Sequence, residues 1–169
     1  MLARAERELS EIAANEIDFD SPPYDFAYLR RIHKNLFRDI YEWAGAVRTV
    51  DISKGDTHFC NVNRIVPEAD RIFRSLAQAG WLVDLSRNRL VEAAAEYFGD
   101  LNMIHPFREG NGRAQRILFE HLVVNAGYEI SWWGIDEAEW IAANIDAVIC
   151  DYAALKRIFE RCIGNSLPT

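Results

Sequence analysis

The sequence predicts an all-α domain of about seven or eight helices that carries one β-hairpin. Most segments repeat apolar residues at spacings of three and four, which is typical of amphipathic helices. One short segment instead alternates β-branched and polar residues around a Lys-Gly-Asp turn, which favours a hairpin. No internal repeat, low-complexity segment or linker divides the chain. Residues 1–169 are therefore expected to form a single domain.

The composition excludes several classes of protein. Of the 169 residues, 50% are hydrophobic, which excludes disorder as the main state. The net charge of −7 argues against general binding to nucleic acid or to a membrane surface. No apolar run reaches the roughly 18 residues of a membrane-spanning helix, and the first residues lack a signal-peptide core. Cys60, Cys150 and Cys162 lack paired or metal-binding spacing, which indicates reduced thiols and a cytoplasmic protein.

The first elements are two helices separated by a break. Residues 1–15 are rich in Ala, Glu, Leu and Arg and predict the first helix, and Ser21-Pro22-Pro23 interrupts the chain. An amphipathic helix is expected over residues 25–43, ended by Gly45. His33 falls on its more polar side, and we interpret it as a surface residue.

Residues 47–59 give the hairpin signal, which is the only convincing strand pattern in the chain. The pattern alone leaves open a decorative loop, because an isolated two-stranded hairpin is marginally stable. His58 is expected to lie on the hairpin surface and not to act in catalysis.

Five further helices and a connector are predicted after the hairpin. A helix over residues 63–79 tolerates Pro67 only in its first turn, and Ser86 is a plausible N-cap for a helix over residues 88–103. Further helices are predicted over residues 111–126, 136–149 and 151–162, with Gly127 closing the first and a capping box of Asp136 and Glu139 opening the second. Residues 128–134, with Trp132 and Trp133, are interpreted as a buried connector.

The chemistry concentrates in the loop between two of these helices. It reads His105-Pro106-Phe107-Arg108-Glu109-Gly110-Asn111-Gly112-Arg113 and continues with Ala114-Gln115-Arg116. The two glycines allow backbone N–H groups to converge into a nest that opens onto a helix N-terminus, which suits an oxyanion. Arg113 and Arg116 oppose the positive end of that helix dipole, and a bound anion would relieve this conflict. The alternative is a helix–turn–helix corner whose Asn and glycines only shape the turn.

This run resembles the Fic motif HxFx(D/E)GNGRxxR at every defined position. The resemblance covers nearly the whole chain and implies the Fic fold. It also implies the activity of the family members that transfer AMP from ATP to a hydroxyl side chain of another protein. In that family the hairpin is a flap that binds the target backbone by strand addition.

The resemblance assigns roles to individual residues. His105 is implied as the general base, and Glu109 as the ligand of Mg²⁺. Asn111 would orient the α-phosphate, while Arg113 and Arg116 would neutralise the outer phosphates. The implied ATP-binding residues are Lys54, Gly55, Arg108, Gly110, Asn111, Gly112, Arg113 and Arg116, and the implied target-docking residues of the flap are Asp51, Ile52, Ser53, Asp56 and Thr57.

The sequence also suggests how other loop side chains behave. Phe107 is expected to plug into the core and fix the loop, and Arg108 to face solvent with a minor role. Arg116 has an alternative role as the partner of Glu120 in a surface ion pair four residues on.

Two variants within the family can be compared with this sequence. Members that phosphorylate their target replace the second glycine with Lys and lack the second arginine, whereas Gly112 and Arg116 are both present here. AMP transfer is therefore favoured, with transfer of UMP or phosphocholine left open. A degenerate Fic module that binds nucleotide or a partner without turnover is the alternative from another class.

Many Fic proteins carry an inhibitory (S/T)xxxE(G/N) helix, but no Ser or Thr in this chain is followed by Glu four residues later. The resemblance therefore predicts a bacterial toxin whose inhibitor is a separate small antitoxin that bears this helix. Type II topoisomerases are the target class that the resemblance suggests. No direct contact with nucleic acid or with a membrane is expected.

Overall fold

The computed structural model describes residues 2–168 and contains seven α-helices and two short antiparallel strand pairs within that range. The helices are α1 (Leu2–Asn15), α2 (Phe26–Phe37), α3 (Ile65–Gln78), α4 (Arg87–Ile104), α5 (Asn111–Asn125), α6 (Glu137–Ala147) and α7 (Ala153–Cys162). The strands are β1 (Ser53–Lys54), β2 (Thr57–His58), β3 (Tyr128–Ile130) and β4 (Ile163–Ser166). The predicted all-α fold with a hairpin is confirmed, although the predicted start of the first helix at Met1 lies outside the described residues. None of the described helices combines the length and hydropathy needed to cross a membrane.

Helix α4 is the centre of the bundle, and it packs against α3, α5, α6 and α7. Small residues allow this close approach: a Cβ added at Gly99 would lie 2.8 Å from the Tyr152 ring of the chain leading into α7. The residues that α4 buries are Leu90, Val91, Ala94, Ala95, Phe98, Gly99, Leu101 and Ile104. Because α4 is held on so many sides, its C-terminal end is a rigid support for the loop that follows.

Side-chain caps begin three of the helices. The side chains of Asp25, Ser86 and Asp136 each accept a hydrogen bond from a backbone N–H in the first turn of α2, α4 and α6. Only half of the predicted capping box forms, because the Glu139 carboxylate pairs with Arg161 of α7. Pro67 lies in the first turn of α3, as the sequence requires.

The end of α2 differs from the prediction, because the helix stops at Phe37 and does not continue to Trp43. The next residues form turns that fold back along the helix, where Arg30 Nε donates to the Gly45 carbonyl at 2.9 Å. Gly45 lies so close that an added Cβ would be 2.9 Å from the Lys34 Cβ. These tertiary contacts outweigh the helical pattern in residues 38–43.

The same turns correct the interpretation of His33. They cover the side of α2 that the sequence assigns to solvent, and His33 is 0% exposed. Its Nδ1 accepts a hydrogen bond from the Gly45 backbone N–H at 2.9 Å. A polar residue on an amphipathic helix is thus buried because a folded-back loop provides its hydrogen-bond partner.

The predicted buried connector after α5 is wrong in two respects. Residues 128–130 form β3, which pairs with β4 in the register Tyr128↔Ser166 and Ile130↔Ile163. Trp133 is 92% exposed, whereas Trp132 packs against the core and its Nε1 donates to Glu120 at 2.7 Å. Three residues are too few to show strand alternation, and the partner strand lies far away in sequence.

The close contact between Gly110 and Phe37 predicts a measurable stability difference. A Cβ added at Gly110 (φ 76°) would lie 2.3 Å from the Phe37 ring, whereas one at Gly127 (φ 91°) would meet no atom within 4 Å. We expect Gly110→Ala to lower the free energy of unfolding by about 2–4 kcal/mol, from strain and clash together. The matched control Gly127→Ala should lose about 1–2 kcal/mol from backbone strain alone. Equal losses in urea denaturation would contradict this packing.

Candidate active site

The loop between α4 and α5 presents the motif through two residues in the left-handed conformation. His105 ends α4 with φ 48° and ψ 62°, and Gly110 precedes α5 with φ 76°. Glycine adopts this conformation freely, whereas a histidine does so at a cost that the surroundings must offset. Phe107 is fully buried and stacks on the His33 ring with centroids 3.9 Å apart, so it fixes the loop as the sequence predicts.

Three polar side chains satisfy the backbone of this loop. The Asn111 amide donates to the Phe107 carbonyl and accepts from the Phe107 N–H, both at 2.8 Å. His33 Nε2 donates to the Glu109 carbonyl at 2.8 Å, and Arg48 Nε donates to the His105 carbonyl at 2.7 Å. Asn111 was expected to orient a phosphate, but both polar atoms of its amide already hold the loop.

The His105 ring has one occupied and one free nitrogen. Its Nδ1 donates to the Asn102 carbonyl at 3.1 Å, while Nε2 is buried and has no hydrogen-bond partner among the described residues. The Phe59 ring stacks on the imidazole with centroids 3.8 Å apart. Burial, followed by the nearby charge of Lys54, lowers the pKa of His105 to about 4. At pH 7 the imidazole is therefore neutral, with a lone pair on Nε2.

His105 lines a cavity of about 220 Å³ between the flap and α6. The flap contributes Lys54 and Thr57, which are among the residues predicted for ATP and for target docking. Gly112 at the start of α5 also lines this cavity. The structure thus places the predicted base beside two flap residues and one of the two motif glycines.

The remaining flap residues fall into two groups. Ser53, Gly55 and Asp56 are exposed at the tip of the hairpin, and His58 is exposed as predicted. Asp51 is used differently, because its carboxylate accepts hydrogen bonds from the Val62 N–H at 2.7 Å and the Asn61 amide at 3.1 Å. Asp51 therefore closes the base of the flap. Ile52 is half-buried, and its carbonyl accepts from the Phe59 N–H at 3.3 Å.

A second cavity of about 540 Å³ adjoins the first and lies between α1, α5 and residues 132–141. Trp140 and Ile141 line both cavities. Arg113 and Arg116 line only the larger one. The first turn of α5, with N–H groups that have no partner inside the helix, contributes Gly112 to the smaller cavity and Arg113 to the larger one.

The two arginines have different surroundings. Arg113 forms an ion pair with Glu6 and donates to the Ser10 hydroxyl at 2.7 Å. That partnership lowers the pKa of Glu6, mainly through the hydrogen bond from Arg113. Arg116 is half-buried and has no carboxylate partner in residues 2–168, and its guanidinium lies 5.8 Å from the centre of the Trp140 ring.

The alternative surface pair between Arg116 and Glu120 is wrong. The Glu120 carboxylate instead accepts a hydrogen bond from Trp132 Nε1 at 2.7 Å. Burial raises the pKa of this carboxyl group, although that hydrogen bond opposes the shift. Arg116 therefore remains available to an anion in the larger cavity.

Glu109 and Arg108 are both exposed at the turn before α5. The Arg108 guanidinium lies 5.2 Å from the centre of the Trp43 ring, which agrees with the predicted solvent-facing position. The Glu109 carboxylate has no hydrogen bond or ion pair with the described residues, while its backbone carbonyl is fixed by His33. Mg²⁺ takes one or two carboxylates together with phosphates and water, so a single free carboxylate beside an anion nest fits this ion. Residues 2–168 contain no cluster of three or more potential metal ligands.

Sequence reasoning missed four residues around the site: Glu6, His33, Arg48 and Asn144. Asn144 lines the smaller cavity, and its Nδ2 donates to the Trp140 carbonyl at 2.9 Å. Its Oδ1 is buried without a partner within the described chain, so it offers an acceptor to a bound molecule. In the sequence, Asn144 stands out only as an Asn among the apolar residues of α6. That pattern does not show that its side chain points towards a cavity.

The fold and the site together define an α-helical domain that holds a neutral histidine beside a glycine-lined helix N-terminus. The Fic/DOC family model matches residues 23–123, and the chain belongs to this family. The predicted family is therefore confirmed.

Curated relatives and solved structures agree with this assignment. The chain is 39% identical over 165 residues to "Probable protein adenylyltransferase Fic" of Escherichia coli K12, covering 98% of this chain and 82% of that protein. It is 40% identical over 127 residues to "Protein adenylyltransferase VbhT" of Bartonella schoenbuchensis, covering 75% of this chain and 27% of that protein. The crystal structure of the BepC protein with bound AMPPNP from Bartonella tribocorum superposes with a TM-score of 0.89 at 28% identity, covering 99% of this chain and 88% of that chain.

The hydrogen bonds predict opposite tautomers for two of the buried histidines, His33 and His105. His33 should carry its proton on Nε2 and His105 on Nδ1, and burial lowers the pKa of both to about 4. Long-range ¹⁵N–¹H NMR at pH 7 should show these two neutral tautomers.

The same pKa shifts predict how stability depends on pH. Because each folded pKa lies below the unfolded value near 6.5, the contribution to stability is complete above that value. It should be lost as the pH falls towards about 4. Titration of either ring near pH 6.5 in the folded protein would contradict the described burial.

Proposed function

We infer that this chain is a protein adenylyltransferase, which transfers AMP from ATP to a hydroxyl side chain of a target protein. The observation that carries this inference is the buried, unpartnered Nε2 of neutral His105 beside the N-terminus of α5. A base for a hydroxyl proton and donors for a phosphate are the two elements that such a transfer requires. The adenylyltransferase names of the relatives support the same activity.

The two adjoining cavities suggest an orientation for ATP. The nucleoside would occupy the smaller cavity, where Asn144 Oδ1 can accept a hydrogen bond from the amino group of adenine. The α-phosphate would lie at the N-terminus of α5 beside Gly112, where an added Cβ would meet no atom within 4 Å. The outer phosphates would extend towards Arg113 and Arg116 in the larger cavity.

In this orientation the base, the N-terminus of α5 and the flap each have a defined role in AMP transfer. The Nε2 lone pair of His105 accepts the proton of the target hydroxyl while that oxygen bonds to the α-phosphorus, and the bond to the leaving pyrophosphate breaks. The N–H groups of the first turn of α5 stabilise the charge that develops on the α-phosphate. The exposed edge of the flap would hold the target backbone so that its hydroxyl reaches the smaller cavity.

Glu109 is the residue that would hold Mg²⁺, because its carboxylate is free and its backbone is fixed. When bound, the ion would neutralise charge on the phosphates of ATP. Arg108 would contribute to the outer face of the site only weakly, since it is exposed over Trp43.

Replacing His105 with Ala tests the activity. Transfer of label from α-labelled ATP to proteins of a bacterial lysate should fall about 10²–10⁴-fold, because the base is lost. ATP binding measured by calorimetry should change little, because His105 contacts the target hydroxyl and not the phosphates. Arg87→Met, which is remote from both cavities, is the control for handling and stability.

Bound but unconsumed ATP with the unaltered chain would instead support a binding module without turnover. Label transferred only from another donor would support transfer of UMP or phosphocholine.

We further propose that a separate protein controls the site in a bacterial toxin–antitoxin pair. Within residues 2–168, Arg113 has a carboxylate partner and Arg116 does not. The larger cavity beside Arg116 is bounded by α1 and contains apolar as well as charged residues, which would suit an incoming helix that carries a Glu. The same proposal includes a cytoplasmic location. It also includes the target class that the family resemblance suggests, a type II topoisomerase.

Expression of the chain alone in bacteria tests this control. Growth should stop with the unaltered chain and continue with His105→Ala, because toxicity requires transfer. Coexpression with a partner that bears the Ser/Thr-xxx-Glu helix should restore growth, and changing that Glu to Gly should abolish protection while the complex persists. A chain that labels no lysate protein and does not slow growth would sink the toxin proposal.

A further inference from the structure

Arg48 is a buried charge beside the active site that the motif does not include. Its side chain is 0% exposed, and its only ion pair within residues 2–168 is with Asp51 at 3.9 Å, a carboxylate that is itself 61% exposed. Burying a guanidinium is costly unless its donors are paired, so the arrangement of its partners is informative.

Those partners are backbone carbonyls from two separate parts of the chain. On the loop side, Nε donates to the His105 carbonyl at 2.7 Å and Nη2 to the Ile104 carbonyl at 3.2 Å. On the flap side, Nη1 donates to the Val50 carbonyl at 2.7 Å and Nη2 to the Cys60 carbonyl at 2.5 Å. The backbone N–H of Arg48 adds a bond to the Pro106 carbonyl at 2.9 Å.

These contacts surround the one motif residue whose backbone is strained. His105 has φ 48°, a conformation that a residue with a Cβ keeps only when its neighbours impose it. Arg48 binds the carbonyls of residues 104, 105 and 106, and thus fixes the peptide groups on both sides of His105. A guanidinium suits this task because its donors lie in one rigid plane.

We propose that Arg48 is the positioning residue for the base. Its guanidinium imposes the left-handed conformation of His105 that directs Nε2 into the smaller cavity, and it ties that conformation to both stems of the flap. Phe59, which follows β2 in the flap, stacks on the imidazole. The flap and the base therefore form one rigid unit, and a target strand bound to the flap meets a base that is already oriented. The catalytic part of this inference rests on the proposed function.

The kinetic test compares Arg48→Lys with a matched arginine. Lys keeps the charge but cannot reach carbonyls in two directions. The rate constant kcat for AMP transfer should fall about 10–100-fold, because a shift of the base by about 1 Å has that effect. The Kd for ATP should change less than twofold, because the phosphate nest lies on α5. Arg87 also donates to backbone carbonyls, those of Glu160, Ile163 and Gly164, but lies away from the site, so Arg87→Met should lower stability without lowering kcat.

The outcomes separate this inference from the proposed function. If the unaltered chain transfers AMP and Arg48→Lys keeps its kcat, or loses no more than Arg87→Met, the positioning role is overturned. If the unaltered chain transfers nothing, the proposed function fails, and the conformational claim is judged by the second test. Failure of both Arg48→Lys and Arg48→Gln to fold would make Arg48 a general stability residue and would also overturn the proposal.

The second test needs no activity and uses thermal unfolding. With Arg48 present, His105→Gly should have a higher Tm than His105→Ala by about 2–4 °C, because glycine has no Cβ penalty in the left-handed conformation. With Arg48→Lys in both backgrounds that advantage should disappear, since residue 105 can then relax. Two results would show that Arg48 does not impose the conformation. One is an equal Tm for His105→Gly and His105→Ala when Arg48 is present. The other is a Tm difference between them that stays the same when Arg48 is replaced by Lys.

Discussion

The structure depends on how the chain satisfies the buried backbone of the loop between α4 and α5. His105, Pro106 and Phe107 are buried, so their peptide groups cannot rely on water. The partners come from three directions: Arg48 from the stem of the flap, His33 from α2, and Asn111 from the start of α5. Each partner fixes one stretch of the loop, and together they explain why a loop, and not a helix or strand, can hold a base and an anion nest in a set geometry.

The sequence predicted the elements and the motif well, because both depend on local patterns. Ser86 and Asp136 begin helices where expected, and Phe107 is buried as an apolar residue in a polar loop should be. The prediction failed where distant segments meet. The end of α2 and the burial of His33 follow from the folded-back turn at Gly45, and β3 exists only because β4 reaches it from the end of the chain. Neither contact leaves a periodic signal in the sequence.

In the candidate site, too, the sequence predicts the motif residues but not the residues around them. The motif identifies His105, Glu109 and the arginines, but not the residues that give them their properties. The free lone pair of His105 results from the Asn102 carbonyl, from Phe59 and from burial, none of which the motif specifies. Asn144 is a further example, because a hydrogen bond to the Trp140 carbonyl within α6 sets its orientation.

The charges of the motif are arranged so that they are stabilised without being cancelled. Each of the three motif arginines lies over an aromatic ring: Arg108 over Trp43 at 5.2 Å, Arg113 over Phe37 at 4.8 Å and Arg116 over Trp140 at 5.8 Å. A ring attracts a cation through its quadrupole but carries no net charge, so the positive potential remains. Only Arg113 also has a carboxylate partner within the described chain, Glu6. A protein with a net charge of −7 thereby keeps a local positive field at the N-terminus of α5, where the helix dipole alone would disfavour cations. An anion is what such a field attracts, and Arg116, which has no ion pair among the described residues, lines the larger cavity where that anion would lie.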